Sequence, residues 1–209
     1  MKDEILNQNQ KKIIKKMEFL KNNFYLAGGT ALALQLGHRT SKDFDFYSKK
    51  DFDSKKLYLD FKKEFSKDIS EPIYSENTLE FKIGITDISF FKYPYNLIGP
   101  FDNYKLLLLA NIKDIAAMKV EAIIGRGTKR DFIDIYFLIK KFSLKKILEF
   151  TKKKYPETFN EYLCLRSLLY FKDAETKQNR SKIRILNSNI NWQSIKNYII
   201  KEVKDYVLK

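Results

Sequence analysis

A chain of 209 residues with 44% hydrophobic and 32% charged side chains is long enough for one substantial domain, or a core with an appendage, and excludes wholesale disorder. No apolar run approaches the roughly 18 residues of a membrane-spanning helix, the opening Met1-Lys2-Asp3-Glu4 lacks the layout of a secretory signal, and the single Cys164 rules out an internal disulfide. A cytoplasmic protein with no membrane partner is expected, and its net charge of +14 points to a polyanion such as nucleic acid.

In chain order, Asp3 to Lys21 is expected to form a helix, with Ile13, Met17 and Leu20 at helical spacing. Phe24 to Ala27 reads as a short strand ending at Gly28-Gly29. Thr30 then holds an N-cap position before the helix-forming run Ala31 to Leu36, which Gly37 stops. Asp43-Phe44-Asp45-Phe46-Tyr47 alternates with period two, so a strand here puts both acids on one face and Phe44 and Phe46 on the other. Asp53 or Ser54 opens a helix with Leu57, Phe61 and Phe65 in one stripe. Thr78 to Ile83 and Ile85 to Phe91 pair as strands around Gly84. Asp114 is read as the cap of a helix reaching Gly125, followed by helices at Lys129 to Phe142, Leu144 to Lys154, Glu157 to Ala174 and Trp192 to Val207. The expected architecture is a mixed α/β (α+β) core over residues 1–140 with a helical C-terminal region over residues 141–209.

The charge is uneven. Residues 141–209 carry 16 basic and 7 acidic side chains, which makes this region the expected polyanion surface. Yet 34 of the basic residues in the chain are Lys and only 6 are Arg, a lean that AT-rich coding also produces.

The informative unit is strand, Gly-Gly, helix, loop, acid-x-acid strand. Gly28 and Gly29 let the backbone approach a ligand, and the helix start at Thr30 offers unpaired N–H groups to a triphosphate. Asp43 and Asp45 are candidate ligands for Mg²⁺, which prefers a few carboxylates plus substrate phosphates. Asp87, in the apolar run Ile85 to Ile88, is a candidate third acid near an attacking hydroxyl. Each residue also has a plainer reading. The pair Asp43 and Asp45 can be solvated acids, Asp87 a surface acid paired with a lysine, and Lys119 a surface lysine. Asp131 can close a capping box with Thr128, and Asp134 suits a helix surface or an ion pair. His38 is the only histidine, and with Arg39 it stands in the loop before Asp43, within reach of a nucleotide.

Gly28-Gly29, a thirteen-residue gap, Asp43-Phe44-Asp45 and a later strand acid resemble the signature of the nucleotidyltransferase superfamily. The run from Gly28 through Gln35, Gly37, His38 and Arg39 to Asp45 is closer still to its AbiEii/AbiGii branch, the toxins of type IV toxin–antitoxin systems. Lys119, Arg126-Gly127 and Arg130 to Asp134 look like later motifs of that branch, and Leu168 to Glu175 like its C-terminal segment. The resemblance implies a nucleotidyltransferase-like fold and Mg²⁺-dependent transfer of a nucleotide from a nucleoside triphosphate to an acceptor such as the 3′ end of a tRNA. It also implies a cognate antitoxin, a triphosphate contact for Lys119 and a place near the site for Asp131. Transfer to a small molecule or a protein hydroxyl, and a non-catalytic nucleotide- or RNA-binding module, are the alternatives.

Overall fold

Strand-forming runs of alternating polar and aromatic residues build the first part of the chain, and amphipathic helices build the rest. The computed structural model describes all residues except 22, 67, 177–183, 187–188 and 209. They fall into two compact units: residues 1–96 with 100–111, and residues 97–99 with 112–209. The sequence reading instead groups residues 112–140 with the core. These residues make two helices that pack on later helices, which explains their place in the second unit.

The first unit is a seven-stranded mixed sheet in the order β3-β4-β5-β2-β1-β7-β6. Its strands are β1 (Tyr25–Ala27), β2 (Phe44–Ser48), β3 (Ile73–Ser75), β4 (Thr78–Ile83), β5 (Thr86–Lys92), β6 (Asp102–Tyr104) and β7 (Leu107–Leu109). The expected helix over Asp3 to Lys21 breaks up. Only α1 (Gln8–Ile14) is α-helical, between two short 3₁₀ turns. Asn7 and Gln10 form a capping box that starts α1 late, and Asn9 donates to the carbonyl of Ile83 and to Thr86, tying the segment to the β4–β5 turn. Helix α2 (Gly28–Leu36) begins two residues before the expected cap, with Ala27 as the boundary and Gly37 closing it in the left-handed region. Asp53 caps α3 (Ser54–Glu64) by accepting from the N–H groups of Lys55 and Lys56.

Sheet register explains the two faces. Phe44 pairs with Ile88 and Phe46 with Phe90, all buried, and Phe61 of α3 packs on Phe90 at 5.4 Å between centroids. Burying such rings removes on the order of 2 kcal/mol of apolar exposure each. Asp45 and Tyr47 therefore face the other way, beside Ser89 and Phe91 on β5 with Asp87 earlier on the same face, and Asp43 immediately precedes β2.

The second unit is helical: α4 (Ile112–Gly125), α5 (Lys129–Phe142), α6 (Leu144–Lys154), α7 (Glu161–Leu168) and α8 (Trp192–Val207). Three of the expected helices, now α5, α6 and α8, match to the residue. The fourth, Glu157 to Ala174, does not, because α7 ends at Leu168 and only a 3₁₀ turn follows at Asp173–Glu175. Asp114 is no cap either. It lies inside α4, fully buried, ion-paired with Lys154 at 2.7 Å and accepting from the backbone N–H groups of Ile98 and Gly99. Cys164 on α7 is 1% exposed, and burial, aided by the negative charges of Glu121 and Glu161, pushes its thiol up to about 11.

Candidate active site

In the first unit the Gly-Gly turn and the acid pair are built against each other. Ala27 is the register partner of Asp45, so the chain leaving β1 turns into α2 beside that carboxylate. Gly28 has φ +64, and a methyl group there would lie 2.6 Å from Oδ2 of Asp45. A methyl group at Gly29 would lie 2.5 Å from Nη2 of Arg39. Gly28 is thus favoured both by its left-handed conformation and by close approach, whereas a side chain at Gly29 would meet only the movable guanidinium end of Arg39.

Thr30 sits one turn into this arrangement and is buried. Its hydroxyl lies 2.7 Å from that of Ser41 and donates to the carbonyl of Asp43. One side chain so fixes the start of β2 to the first turn of α2, a role that sequence reasoning missed along with Ser41. Nothing in the eleven-residue separation announces that contact. His38 and Arg39 are also buried, at 4% and 1% exposure. Arg39 donates from Nη1 to the carbonyl of Thr40 at 3.0 Å while its other arm lies against Gly29. Arg39 thus lies beside the turn, and His38 is buried rather than on an open surface.

Asp43 and Asp45 are both half-buried, Asp45 on β2 and Asp43 just before it. The parallel register of β2 and β5 sets Asp87 on the face of Asp45, but its carboxylate is 3.0 Å from the ammonium of Lys82, its cross-strand partner on β4. Both side chains are about half exposed or more, so this bridge contributes only about 0–1 kcal/mol and exchanges readily.

In the second unit Lys119 is buried, not a surface lysine. Its ammonium lies 2.9 Å from Asp131 and 2.7 Å from Asp134, both fully buried. Arg126 adds a contact to Asp131 at 3.1 Å. The expected capping box does not form. Thr128 instead donates to the Asp131 carboxylate at 2.6 Å, because that carboxylate is held inward by two cations. Asp134 is an ion-pair residue, as one of its readings had it, but not on a surface.

Burial raises the Asp131 carboxyl, but the charges of Lys119 and Arg126 and the hydrogen bonds from Arg126 and Thr128 outweigh it and hold the group below its ordinary 3.8. A folded pKa below the unfolded one contributes stability above the unfolded value, and that contribution is lost as pH falls through the folded one. Asp131→Asn should therefore lower stability near neutrality and flatten the acid limb. Urea midpoints measured from about pH 7 down to about pH 3 check this; an acid limb parallel to that of the unaltered protein would contradict it.

The family model for the nucleotidyl transferase AbiEii toxin of type IV toxin–antitoxin systems matches residues 15–106, the stretch holding Gly28, Gly29, Asp43, Asp45 and Asp87. An uncharacterized protein of Aquifex aeolicus is 36% identical over 212 residues, which cover 97% of this chain and 98% of that one. The chain belongs to the AbiEii nucleotidyl transferase toxin family. Two solved structures share its fold. JHP933 from Helicobacter pylori has a TM-score of 0.58 at 17% identity, covering 97% of this chain and 91% of that one. The nucleotidyltransferase toxin MenT4 from Mycobacterium tuberculosis has 0.56 at 14%, covering 92% and 80%. The expected nucleotidyltransferase-like mixed sheet is borne out.

Nucleotidyltransferases of the AbiEii kind imply a divalent metal, and the donor set here suits one. Asp45 on β2 and Asp43, the residue before that strand, are half-buried carboxylates that could supply hard oxygen donors. Among the described residues no three His, Cys, Asp or Glu side chains gather into a metal cage.

Gly28→Ala tests the turn. Strain at a left-handed φ costs about 1–2 kcal/mol, and displacement of the Asp45 carboxylate is expected to cut transfer about 10²-fold. Urea midpoints and label-transfer rates read the two effects separately. Unchanged transfer would mean that the close approach to Asp45 is unimportant.

Proposed function

We propose that this chain moves a nucleotide from a nucleoside triphosphate to an RNA acceptor, the 3′ end of a tRNA, and does so as a Mg²⁺-dependent toxin paired with an antitoxin. The observation that supports this reading is the close approach of the Gly28 turn to the carboxylate of Asp45, two residues after Asp43. A triphosphate lies naturally at such a turn, where the N–H groups opening α2 meet negative charge.

In this reading Asp43 and Asp45 would hold Mg²⁺, which when bound would supply charge neutralisation at the triphosphate. The acceptor hydroxyl attacks the α-phosphorus, a new P–O bond forms, and the bond to the β-phosphate breaks to release pyrophosphate. Asp87 accepts the hydroxyl proton after exchanging Lys82 for the acceptor, a swap whose low cost follows from the exposure of that bridge. Gly28 and Gly29 admit the phosphates, Thr30 and Arg39 keep the turn in place, and His38 stands in the loop before Asp43. Within the second unit, Lys119, to which the resemblance gives a triphosphate contact, is a cation shared by Asp131 and Asp134.

Incubation with each labelled nucleoside triphosphate, Mg²⁺ and total RNA tests the proposal. Label in tRNA supports it. Label in protein alone, or in a small molecule alone, would replace the acceptor, and no transfer with any acceptor would leave a binding module.

A further inference from the structure

The sheet face that carries Asp45 continues into a row of aromatic rings for which the transfer chemistry has no use. Tyr47 follows Asp45 by two residues, about 7 Å along an extended strand, and points to the same side. Its register partner Tyr25 stacks on it with centroids 6.0 Å apart and planes 27° from parallel. Phe91 lies 5.7 Å from Tyr47, Tyr93 lies 5.2 Å from it, and Tyr95 is 5.0 Å beyond Tyr93. Tyr25 is buried at the base of the group. Tyr47, Phe91 and Tyr93 are half-buried, and Tyr95 is 41% exposed.

Burial alone gives little reason for this composition, because rings left half in water forfeit much of the stabilisation that an aromatic side chain offers. Every nucleobase, however, has a planar face that stacks on such rings without regard to sequence. Lys42, Lys49 and Lys50, at the two ends of β2, are exposed and place positive charge around the row, complementary to a phosphate backbone. The row runs through three tyrosines in succession, whereas an incoming nucleotide brings a single base. The match is to a strand of unpaired nucleotides.

We infer that Tyr47, Tyr93 and Tyr95 form a stacking platform for unpaired bases of a single-stranded RNA acceptor, leading its 3′ end toward Asp43 and Asp45. The inference rests on the RNA-acceptor reading above and deepens it.

The test measures anisotropy of a short 5′-labelled single-stranded oligoribonucleotide with a free 3′ hydroxyl, using full-length protein carrying Tyr47→Leu, Tyr93→Leu, Tyr95→Leu or Tyr93→Phe. Calorimetry of nucleoside triphosphate binding and thermal melting accompany each variant. Each leucine variant is expected to bind the oligonucleotide about tenfold more weakly and Tyr93→Phe within about twofold of the unaltered protein, since stacking needs the ring and not the hydroxyl. Triphosphate affinity and melting should stay unchanged. Unaltered oligonucleotide affinity in all three leucine variants overturns the platform, as does a loss of triphosphate affinity in its place, which would assign the rings to the incoming base. Label transfer to total RNA by the unaltered protein separates the two levels. Its absence defeats the acceptor reading itself, while transfer retained alongside unaltered oligonucleotide affinity defeats the platform alone.

Discussion

Asp45→Asn is expected to abolish nucleotide transfer while leaving a folded protein. Asparagine is close in size and keeps an acceptor oxygen, so the contact with Gly28 persists, and Phe44 and Phe46 remain buried on the opposite face. What disappears is a negative charge proposed to hold Mg²⁺ against the triphosphate. Phosphoryl-type transfer depends almost wholly on positioning and charge neutralisation, so little other catalysis remains to compensate. Loss of one preorganised electrostatic group costs on the order of 10²–10³ in rate, and Asp43→Asn should behave alike. Label-transfer rates, with circular dichroism as the folding control, decide it. A folded Asp45→Asn protein working within about threefold of the original rate would remove the carboxylate-pair mechanism.

The second large effect concerns stability. Lys154 and Asp114 have fully buried side chains and pair at 2.7 Å. Lys154→Ala strands a carboxylate in the interior, and breaking one partner of such a pair costs about 3–5 kcal/mol. The neighbours Lys152 and Lys153 are exposed on the same helix, and alanine at either should stay within about 0.5 kcal/mol. Urea denaturation of the three variants provides the comparison; a Lys154→Ala midpoint equal to that of Lys152→Ala would show that the buried pair contributes nothing. Of these three lysines only Lys152 and Lys153 are therefore available to a phosphate backbone. A run of three consecutive lysines in sequence hides this difference, because helical geometry turns every third or fourth residue toward the core.

Much of the first unit was legible because its signals are local. The period-two alternation around Asp43 and Asp45 placed the acids and aromatics on opposite faces, and Gly84 marked the β4–β5 hairpin. The Gly-Gly turn was legible as well, though not its reason. That Gly28 must make room for Asp45 depends on a pairing of β1 with β2 that spacing alone does not reveal. Long-range polar contacts were the least legible. Asp114 looked like a cap because aspartate near a helix start usually is one, yet Lys154, forty residues away, draws it inside. The same applies to Lys119, whose partners Asp131 and Asp134 lie on the next helix. The short strands β3, β6 and β7 gave no alternation long enough to read, and their place follows from pairing with longer neighbours.

Cys164 offers a practical opening. Its thiol is 1% exposed and pushed up to about 11, so almost none of it is thiolate near neutrality. Maleimides and similar reagents react through the thiolate and need access, and the native chain supplies neither. A cysteine introduced at an exposed position such as Lys49 would then be the one reactive thiol, and a fluorophore attached there would report on ligands arriving at the aromatic row without first stripping the protein of its own sulfur.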